Sequence, residues 1–494
     1  MDVLLLSRIQ FALTIMFHYL FPPLSIGLGA IMVFMEGMYL RTDDLRYHAM
    51  TRFWSKIFAV SFALGVATGI VMEFQFGTNW AAYSRYVGDV FGSALAAEGI
   101  VAFFLESGFL AVLVFGWDRV SKRMHFFATL MVALGSAFSA VWIVVANSWM
   151  QTPAGHTIVD GRAVIDSFWG MFFNPSSMHR LTHVLLGCFI QGAFFVTSIS
   201  AFYILRGRHL DFAKRSFTIA LLFGGACTLL MGLSGHTQAK AVAHNQPAKM
   251  AALEGHFETG RMDLTLFGIP NAKENRIDYA IALPGFGSFL LHESFSQSVP
   301  GLDAFREEDR PPITIPFVSY HLMVAMAGFL IGLSVASLFF WYKGTLFDKR
   351  WLMWVFVFAV VAPLIANQTG WVAAESGRQP FIVYPEVVWE GDTPKMVTDG
   401  ASPGLRTNVG MSSTKVVTAG QVLSSILMFS FVYLMLFIVW IYVLHSKIVH
   451  GPDEAEPPPP ATTSPTQLLD AAAEKQPGRK SLTRTESDPV GQEK

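Results

Sequence analysis

The stretch QFALTIMFHYLFPPLSIGLGAIMVFMEGM, residues 10–38, indicates the fold class of this chain. Its length and apolar character suit a helix that crosses a bilayer, which takes about 20 apolar residues. Only 14% of the 494 residues are charged, whereas soluble proteins average about 25%. The sequence therefore predicts an all-α polytopic membrane protein with nine transmembrane helices. These spans lie near residues 10–38, 54–76, 91–116, 126–148, 181–205, 217–235, 317–342, 351–376 and 419–445.

The charges of the short loops predict how the helices are oriented. Basic residues concentrate in the loops after the first, third, fifth and seventh spans, and such loops face the cytoplasm. The N-terminus is then outside and the C-terminus is cytoplasmic. The long connections near 149–180, 236–316 and 377–418 face outward. The basic residues are Arg41, Arg46, Arg52, Arg119, Lys122, Arg123, Arg206, Arg208, Lys214, Arg215, Lys343, Lys349 and Arg350.

The chain divides into four predicted segments. Residues 1–235 carry helices one to six, 236–316 form an extracytoplasmic loop, and 317–446 carry helices seven to nine. Residues 447–494 are rich in Pro, Ser, Thr and charge, so they bury too little apolar surface to fold and are predicted to be a disordered cytoplasmic tail.

Net charge and cysteine content exclude several classes of function. The formal net charge is −1, which gives no electrostatic reason to expect nucleic-acid binding. Cys188 and Cys227 both lie within spans, and the sequence has no CxxC or CxxCH motif. A haem in this protein would therefore be held without thioether bonds.

Five ionisable residues and one methionine within the spans are candidate functional residues, because ionisable groups in hydrocarbon usually mark function. From the helix rise and the predicted topology, all but Glu106 fall in the outer half of the bilayer. The six are His18, Glu98, Glu106, His183, Met323 and Glu375. Histidine, methionine and carboxylate from different helices can converge on haem iron, so the pattern predicts a haem-binding bundle.

Ordinary structural roles remain open for the same residues. His18 also fits a hydrogen-bonded core histidine, and Met323 is one of 22 methionines, most of which simply pack. Glu36 lies near a helix end and is expected to reach polar surroundings, and His125 is interpreted as interfacial. Pro22 and Pro23 remove donors one turn beyond His18, so the first helix is expected to bend there.

These motifs resemble subunit I of cytochrome bd-type quinol oxidases, including the cyanide-insensitive branch, over about residues 1–446. The matching motifs are SRIQFALTIMFHYLFPPLSIGLG, EGIVAFFLESGF, NSWMQTPAG, QPAKMAALEGHFE and GWVAAESGRQP, which occur in family order. The resemblance implies that His183 and Met323 are the axial ligands of a low-spin haem b. It also implies that His18 and Glu375 each ligate one high-spin haem.

The resemblance implies further roles outside the ligand set. It places Glu98 beside the oxygen-reducing haem and Glu106 on the proton route. Lys249 and Glu254 match residues implicated in quinol oxidation, although a solvated loop charge is an alternative for Lys249. Arg378 is the arginine of the GRQP motif, placed to approach Glu375 or a haem propionate. The segment from about residue 236 to 316 matches the quinol-binding loop.

Three departures from the family pattern bear on the cofactors. Phe381 replaces a frequent Trp, His321 replaces a frequent Arg, and the loop before the seventh span is short. The ligand set is intact, but the third macrocycle can be haem d or a second high-spin haem b. The quinol can be ubiquinol or menaquinol.

The expected function is that of a terminal oxidase in the bacterial inner membrane. Quinol is oxidised outside and dioxygen is reduced to water. Protons from the cytoplasm pass Glu106, Ser107 and Glu98, with Asn147 and Ser148 as companions, and generate a membrane potential without pumping. The expected partners are subunit II and, in some complexes, a small single-span subunit.

Two other functions compete with the oxidase interpretation. A proton-coupled transporter without haem also uses membrane carboxylates and broken helices, but it gives Met323 no role and no inverted repeat is evident. A copper-containing haem oxidase needs several histidines on one metal, and the outer-half histidines are scattered.

Overall fold

The computed structural model describes residues 2–398, 403–411 and 417–453 and is mainly helical. In this described part, nine helical segments are long and apolar enough to cross a membrane, which confirms the predicted number. The greater part of the predicted tail, residues 454–494, lies outside the described residues. The spans are Val3–Thr42, Leu45–Gly77, Ala81–Phe115, Lys122–Gln151, Ser177–Arg206, Leu210–Asn245, Thr314–Tyr342, Arg350–Ser376 and Ala419–His450.

Several of these spans consist of more than one helix, and short helices and strands lie between them. The helices are α1 (Val3–His18), α2 (Pro22–Thr42), α3 (Leu45–Gly77), α4 (Ala81–Ala97), α5 (Phe103–Phe115), α6 (Lys122–Gln151), α7 (Phe168–Phe172), α8 (Ser177–Arg206), α9 (Leu210–Asn245), α10 (Pro247–Glu254), α11 (Phe286–His292), α12 (Thr314–Tyr342), α13 (Arg350–Ala359), α14 (Val361–Ser376), α15 (Thr407–Gly410) and α16 (Ala419–His450). The strands are β1 (His156–Val159), β2 (Arg162–Ile165), β3 (Gly260–Arg261), β4 (Leu264–Asn271), β5 (Arg276–Leu283), β6 (Ser298–Val299), β7 (Phe381–Val383), β8 (Glu386–Glu390), β9 (Thr393–Val397) and β10 (Leu405–Arg406).

The first span breaks where the two prolines predict a bend. α1 ends at His18 and α2 begins at Pro22. Pro22 has no N–H to bond the His18 carbonyl, which accepts from the Phe21 amide at 3.1 Å. The break places His18 at a helix end, beside backbone that departs from the regular ladder.

The third span contains a π-helical turn that the sequence did not predict. This turn covers Glu98–Ala102 and joins α4 to α5. Such turns insert one residue into a helix and are frequent at functional sites. Here the turn begins at Glu98, one of the residues selected from the sequence.

Two predicted segment boundaries differ from the helix ends. α9 continues to Asn245, past the predicted end near residue 235, and α16 continues to His450, past 446. Hydropathy marks only the part of a helix that crosses hydrocarbon, and residues 236–245, which include His236, Lys240 and His244, extend the helix into the connection that follows. The predicted loop 236–316 therefore begins within a helix.

α8 is the most enclosed span of the described bundle and packs on α2, α9 and α13. Its contact with α2 depends on glycine, because a Cβ on Gly192 would lie within 3.0 Å of the Gly27 backbone. Small residues let membrane helices approach this closely. This packing fixes the helix that carries His183.

The three long connections each contain an antiparallel hairpin, which the sequence did not predict. The hairpins are β1–β2, β4–β5 and β8–β9. α10 lies among them and packs on α9 and α12, and all eight of its residues are buried. The connections therefore form a packed layer on one end of the bundle.

The Gly27–Gly192 contact predicts a stability effect. Gly192→Ala should force α2 and α8 apart and destabilise the protein by about 1–3 kcal/mol, the usual cost of overpacking. Gly328→Ala is the matched control, because no atom lies within 4 Å of a Cβ there. The detergent-solubilised complex is heated, and size-exclusion chromatography then measures the fraction that remains folded at each temperature. The difference between the midpoints of the two variants gives the effect of the substitution. Equal midpoints for both variants would contradict the proposed contact.

Candidate functional site

His18 is held in a defined orientation at the break of the first span. Its Nδ1 lies 3.0 Å from the Thr68 hydroxyl, which itself donates to the Leu64 carbonyl at 2.8 Å. Because that hydroxyl has one proton, it accepts from His18 Nδ1–H. This arrangement leaves Nε2 with a free lone pair, as a metal-ligating imidazole requires.

The predicted histidine and methionine ligands each face a glycine of a neighbouring helix. A Cβ added to any of these glycines would lie 3.0 to 4.0 Å from the ligand side chain. Glycine at these positions lets the imidazole or thioether lie directly against the neighbouring helix. The pairs are His18 with Gly69, His183 with Gly235, and Met323 with Gly370.

Glu375 lies in a network of hydrogen bonds and charges. Asn147 Nδ2 donates to Glu375 Oε1 at 3.1 Å, and Arg378 forms an ion pair with Oε2, so the predicted approach of Arg378 is observed. The Arg180 guanidinium donates to the side-chain oxygen Oδ1 of Asn147. Three helices, α6, α8 and α14, therefore meet at one carboxylate.

Two buried arginines in this network retain unused donors. Arg180 and Arg378 are 7% and 3% exposed. Among the described residues, the Nε–H of each has no hydrogen-bond partner. A buried guanidinium is costly unless an anion faces it, so both arginines are suited to hold carboxylate groups of a ligand.

Trp371 brings the predicted sites to one level of the bundle. Its ring lies edge-on to Tyr19, with centroids 5.5 Å apart, and the Arg180 guanidinium lies 5.8 Å from its centroid. Tyr19 follows His18, and Arg180 is three residues before His183. The sequence predicted a common depth for His18, His183 and Glu375. The contacts of Trp371 bring the helices that carry these three residues together.

Lys249 is buried against the same network. It is 2% exposed, and its Nζ donates to Gln151 Oε1 at 3.0 Å and Gln246 Oε1 at 3.3 Å. The alternative of a solvated loop charge is therefore wrong. Burial, and then the positive Arg180, hold the pKa of Lys249 well below its usual value. Gln151 also donates to Glu375 Oε1 at 3.4 Å, so one side chain joins Lys249 to Glu375.

Glu254 lies at the end of α10 and is 4% exposed. Burial raises the pKa of its carboxyl group to about 7, although a hydrogen bond with Tyr320 opposes the shift. Its Oε2 has no partner among the described residues. Tyr320 lies one turn before Met323 on α12, so this carboxyl is close to the predicted ligand helix.

Glu98 and Glu106 both contact serines of α6. The Ser139 hydroxyl donates to Glu98 Oε1 at 2.5 Å, and Ser136 hydrogen-bonds Glu106. Ser107, the predicted companion on α5, is exposed. The sequence did not single out the two α6 serines.

The companions predicted on the fourth span have other surroundings. Asn147 bonds Glu375 and Arg180, so it belongs to the network described above. The Ser148 hydroxyl is buried without a partner among the described residues. Neither side chain hydrogen-bonds Glu98 or Glu106 in the described part of the chain.

Glu36 and His125 lie together in the protein interior. Both are buried, and His125 Nδ1 lies 2.6 Å from Glu36 Oε1. The Thr129 hydroxyl donates to Glu36 Oε2 at 2.5 Å. The two residues lie on α2 and α6, so their pairing depends on packing that hydropathy does not reveal.

Sequence reasoning also missed residues that surround the predicted ligands. An arginine within a span is a usable signal, and Arg180 in MHRLTHVLLG offered it. Buried glutamine and aromatic residues give no such signal, because these types also serve as ordinary packing. The missed residues are Gln151, Arg180, Tyr320 and Trp371.

Comparison with known proteins identifies the family. The family model for cytochrome bd terminal oxidase subunit I matches residues 6–452. The chain is 37% identical to cytochrome bd ubiquinol oxidase subunit 1 of Bacillus subtilis, over 91% of this chain and 94% of that one. It is 35% identical to cytochrome bd-II ubiquinol oxidase subunit 1 of Escherichia coli, over 77% of this chain and 88% of that one.

A solved structure has the same fold. The bd oxidase from Geobacillus thermodenitrificans matches with a TM-score of 0.80 and 28% identity, over 91% of this chain and 99% of that chain. The relatives are named as numbered subunits, which implies a partner subunit. The chain therefore belongs to the family of cytochrome bd terminal oxidase subunit I, the multi-pass membrane subunit of haem-containing quinol:oxygen oxidoreductases.

Proposed function

We propose that this chain oxidises quinol at the outer face of the membrane and binds the haems at which dioxygen is reduced to water. The observation that carries the proposal is the junction at Trp371, Arg180 and Glu375. There the helices that bear His18, His183 and Glu375 make direct contact. Residues able to bind iron are thus collected at one level of the bundle.

The residues present fit haem. The unused Nε–H donors of Arg180 and Arg378 suit its propionates, and a glycine rather than a larger residue lies against each of His18, His183 and Met323. His183 and Met323 would hold a low-spin haem b. His18 and Glu375 would each hold a high-spin haem, one of which is haem b and the other haem d or a further haem b.

When bound, haems accept and pass single electrons, and an iron with an open position can bind dioxygen. The chain's own residues hold and orient these groups. Thr68 sets the tautomer of His18, and Arg378 balances the charge of Glu375. The packing of α8 on α2, α9 and α13 holds His183 in place.

Lys249 and Glu254 fit a quinol-oxidation site. Quinol becomes quinone by losing two electrons and two protons, so the site needs a proton acceptor. Glu254 has a carboxyl pKa of about 7 and a free Oε2, which suits a general base near neutral pH. Lys249 Nζ would hold the quinone oxygen, with ubiquinol or menaquinol as substrate.

The proposed orientation follows from the basic loops, which place the N-terminus and α10 outside and the C-terminus in the cytoplasm. Protons from quinol would then leave outward. Since dioxygen takes up four protons to form two waters, protons for water would enter from the cytoplasm. Their movement toward the outer half of the membrane generates a potential without pumping.

The contacts of α6 support a proton route along this helix. Ser136 hydrogen-bonds Glu106, and Ser139 donates to Glu98. Each serine hydroxyl can accept and donate a proton. Glu106, Ser136, Ser139 and Glu98 would therefore pass protons toward the haem level.

The surroundings of the subunit follow from its relatives. The relatives named above come from bacteria, so the bacterial inner membrane is the proposed location. Subunit II is the proposed partner, with a small single-span subunit in some complexes. The haem-free transporter is set aside, because the family consists of oxidases.

The ligand assignment predicts specific spectral losses. His183→Ala and Met323→Leu should each remove the signal of the six-coordinate low-spin haem, because each deletes one axial ligand. Reduced-minus-oxidised spectra of the purified complex measure the loss. Met326→Leu, one turn further on α12, is the matched control and should leave the spectrum unchanged. A normal low-spin band in both ligand variants would rule out the assignment.

The raised pKa of Glu254 predicts a pH dependence. A general base acts when deprotonated, so quinol oxidation should rise with pH through about 7. Glu254→Gln should abolish this rise and lower the rate by about 10²-fold or more. Oxygen consumption with excess quinol, measured from about pH 5 to about pH 9, tests this pH dependence. Glu258→Gln, in the exposed part of the same loop, should keep the wild-type profile. An unchanged profile in Glu254→Gln would exclude the carboxyl as the base.

The α6 route predicts that Ser139→Ala slows oxygen reduction. Glu98 loses its hydrogen-bond donor, so proton delivery should fall by about tenfold or more, while the low-spin haem spectrum stays intact. Flow-flash kinetics of the reduced complex with dioxygen, in H₂O and in D₂O, measure proton-coupled steps. Ser93→Ala, whose hydroxyl bonds only backbone carbonyls on α4, is the control. Wild-type kinetics in Ser139→Ala would contradict this route.

A further inference from the structure

The β4–β5 hairpin of the outer connection exposes a large apolar face. Six large apolar side chains of its two strands are 43% to 82% exposed, and the charged Arg276 and Asp278 lie near the turn. The six are Leu266, Phe267, Ile269, Tyr279, Ile281 and Leu283.

The opposite face of the hairpin is also apolar and packs on the protein. Ile277 lies against Gly255, the residue after Glu254. Thr265 and Pro270 are buried on the same side. A hairpin between protein and water alternates apolar and polar residues. This hairpin does not alternate in that way, so its outward face is not suited to water.

The β8–β9 hairpin of the same outer layer provides an internal comparison. Its exposed residues include Glu386, Glu390, Thr393 and Lys395, with Val388 among them. That hairpin has the polar outward face expected in water. The apolar face is therefore a feature of β4–β5 and not of the outer connections in general.

The anchor of the hairpin sets its depth. His321 Nε2 lies 2.9 Å from the Thr265 carbonyl at the base of β4. α12 has 29 residues and is about 43 Å long, while the hydrocarbon core is about 30 Å thick. If α12 is centred, about 7 Å projects at each end. His321 lies about 10 Å from the start of the helix, which places the base of the hairpin at the edge of the hydrocarbon.

The apolar face continues onto the membrane helix that anchors it. Ile315, Val318 and Leu322 of α12 are exposed at the same end of the helix. All three lie in the candidate membrane span Thr314–Tyr342, and Val318 and Leu322 also lie in the predicted span 317–342. The hairpin and α12 therefore present one continuous apolar surface at the outer boundary of the bilayer.

The charges of the hairpin are confined to the turn and its flank. Arg276 pairs with Glu274 at 2.8 Å and with Asp278 at 2.7 Å. Tyr279 has an apolar ring with a polar hydroxyl, as is common at membrane interfaces. This pattern of apolar strands with a charged turn suits an element that lies in the headgroup region with its side chains in the acyl boundary.

We propose that the β4–β5 hairpin is embedded in the outer-leaflet interface, with its exposed face against lipid. Lipid, and not a protein subunit, is the occupant, because the surface is continuous with a membrane helix and its base lies at the hydrocarbon edge. The proposal concerns the hairpin itself and does not depend on the roles of Lys249 and Glu254.

Site-directed spin labelling of the assembled oxidase in lipid nanodiscs tests this proposal. Nitroxides are attached at Ile281→Cys and Tyr279→Cys, with Val388→Cys on β8 as the matched control. Cys188 and Cys227 are buried, and the signal of the unsubstituted complex is subtracted. Collision with lipid-soluble dioxygen is compared with collision with a water-soluble nickel chelate. Oxygen consumption of each variant verifies that the complex has assembled.

The expected result is a ratio of dioxygen to nickel collisions that is several-fold higher at positions 281 and 279 than at 388. Nickel accessibility equal to that at 388 would show the hairpin in water and overturn the proposal. Shielding from both reagents would show that a protein subunit covers the face, which would also overturn it. Positions 279 and 281 are both exposed on β5. If one variant fails to fold, the collision ratio of the other variant still tests the proposal.

Discussion

One end of this bundle depends on one buried interaction, the ion pair between Glu375 and Arg378. A carboxylate within a membrane bundle is stable only if opposite charge and hydrogen bonds surround it. Arg378 supplies the charge from the next helical turn, and Asn147 supplies a donor from α6. Arg180 on α8 bonds Asn147 and so joins a third helix. Removing any member leaves another buried polar group without a partner, so the helices that would hold haem are fixed together by a single polar centre.

The same centre reaches the outer connection through Gln151, one turn beyond Asn147 on α6. Its carbonyl oxygen accepts from Lys249, and its amide donates to Glu375. Burial lowers the pKa of Lys249 well below its usual value, and the positive Arg180 lowers it further. A change of charge near Lys249 is therefore felt at Glu375 across one side chain. The proposed quinol site and the proposed haem carboxylate are parts of one electrostatic unit rather than separate sites on one scaffold.

Local rules explain what the sequence predicted and what it missed. Nine spans follow from apolar runs, the break at His18 follows from the two prolines, and the approach of Arg378 to Glu375 follows from their spacing of three residues. These features depend only on neighbours along the chain. The Glu36–His125 pair and the role of Gln151 depend on which helices meet, and the hairpins of the outer connections depend on support from α10 and α12. No local pattern records such contacts, so these features could not be predicted from one sequence.

The π-helical turn in the third span is the most instructive of the missed features. In a regular α-helix, residues eight apart differ by about 80° around the axis, whereas residues seven apart differ by only about 20°. A π turn absorbs one residue, so Glu98 and Glu106 behave as if they were seven apart and face the same side. That side is α6, where Ser136 and Ser139 contact one carboxylate each. Without the turn, one of the two glutamates would rotate away from α6, and the pair of serines could not serve both. The π-helical turn therefore aligns the two carboxylates on one face of the span.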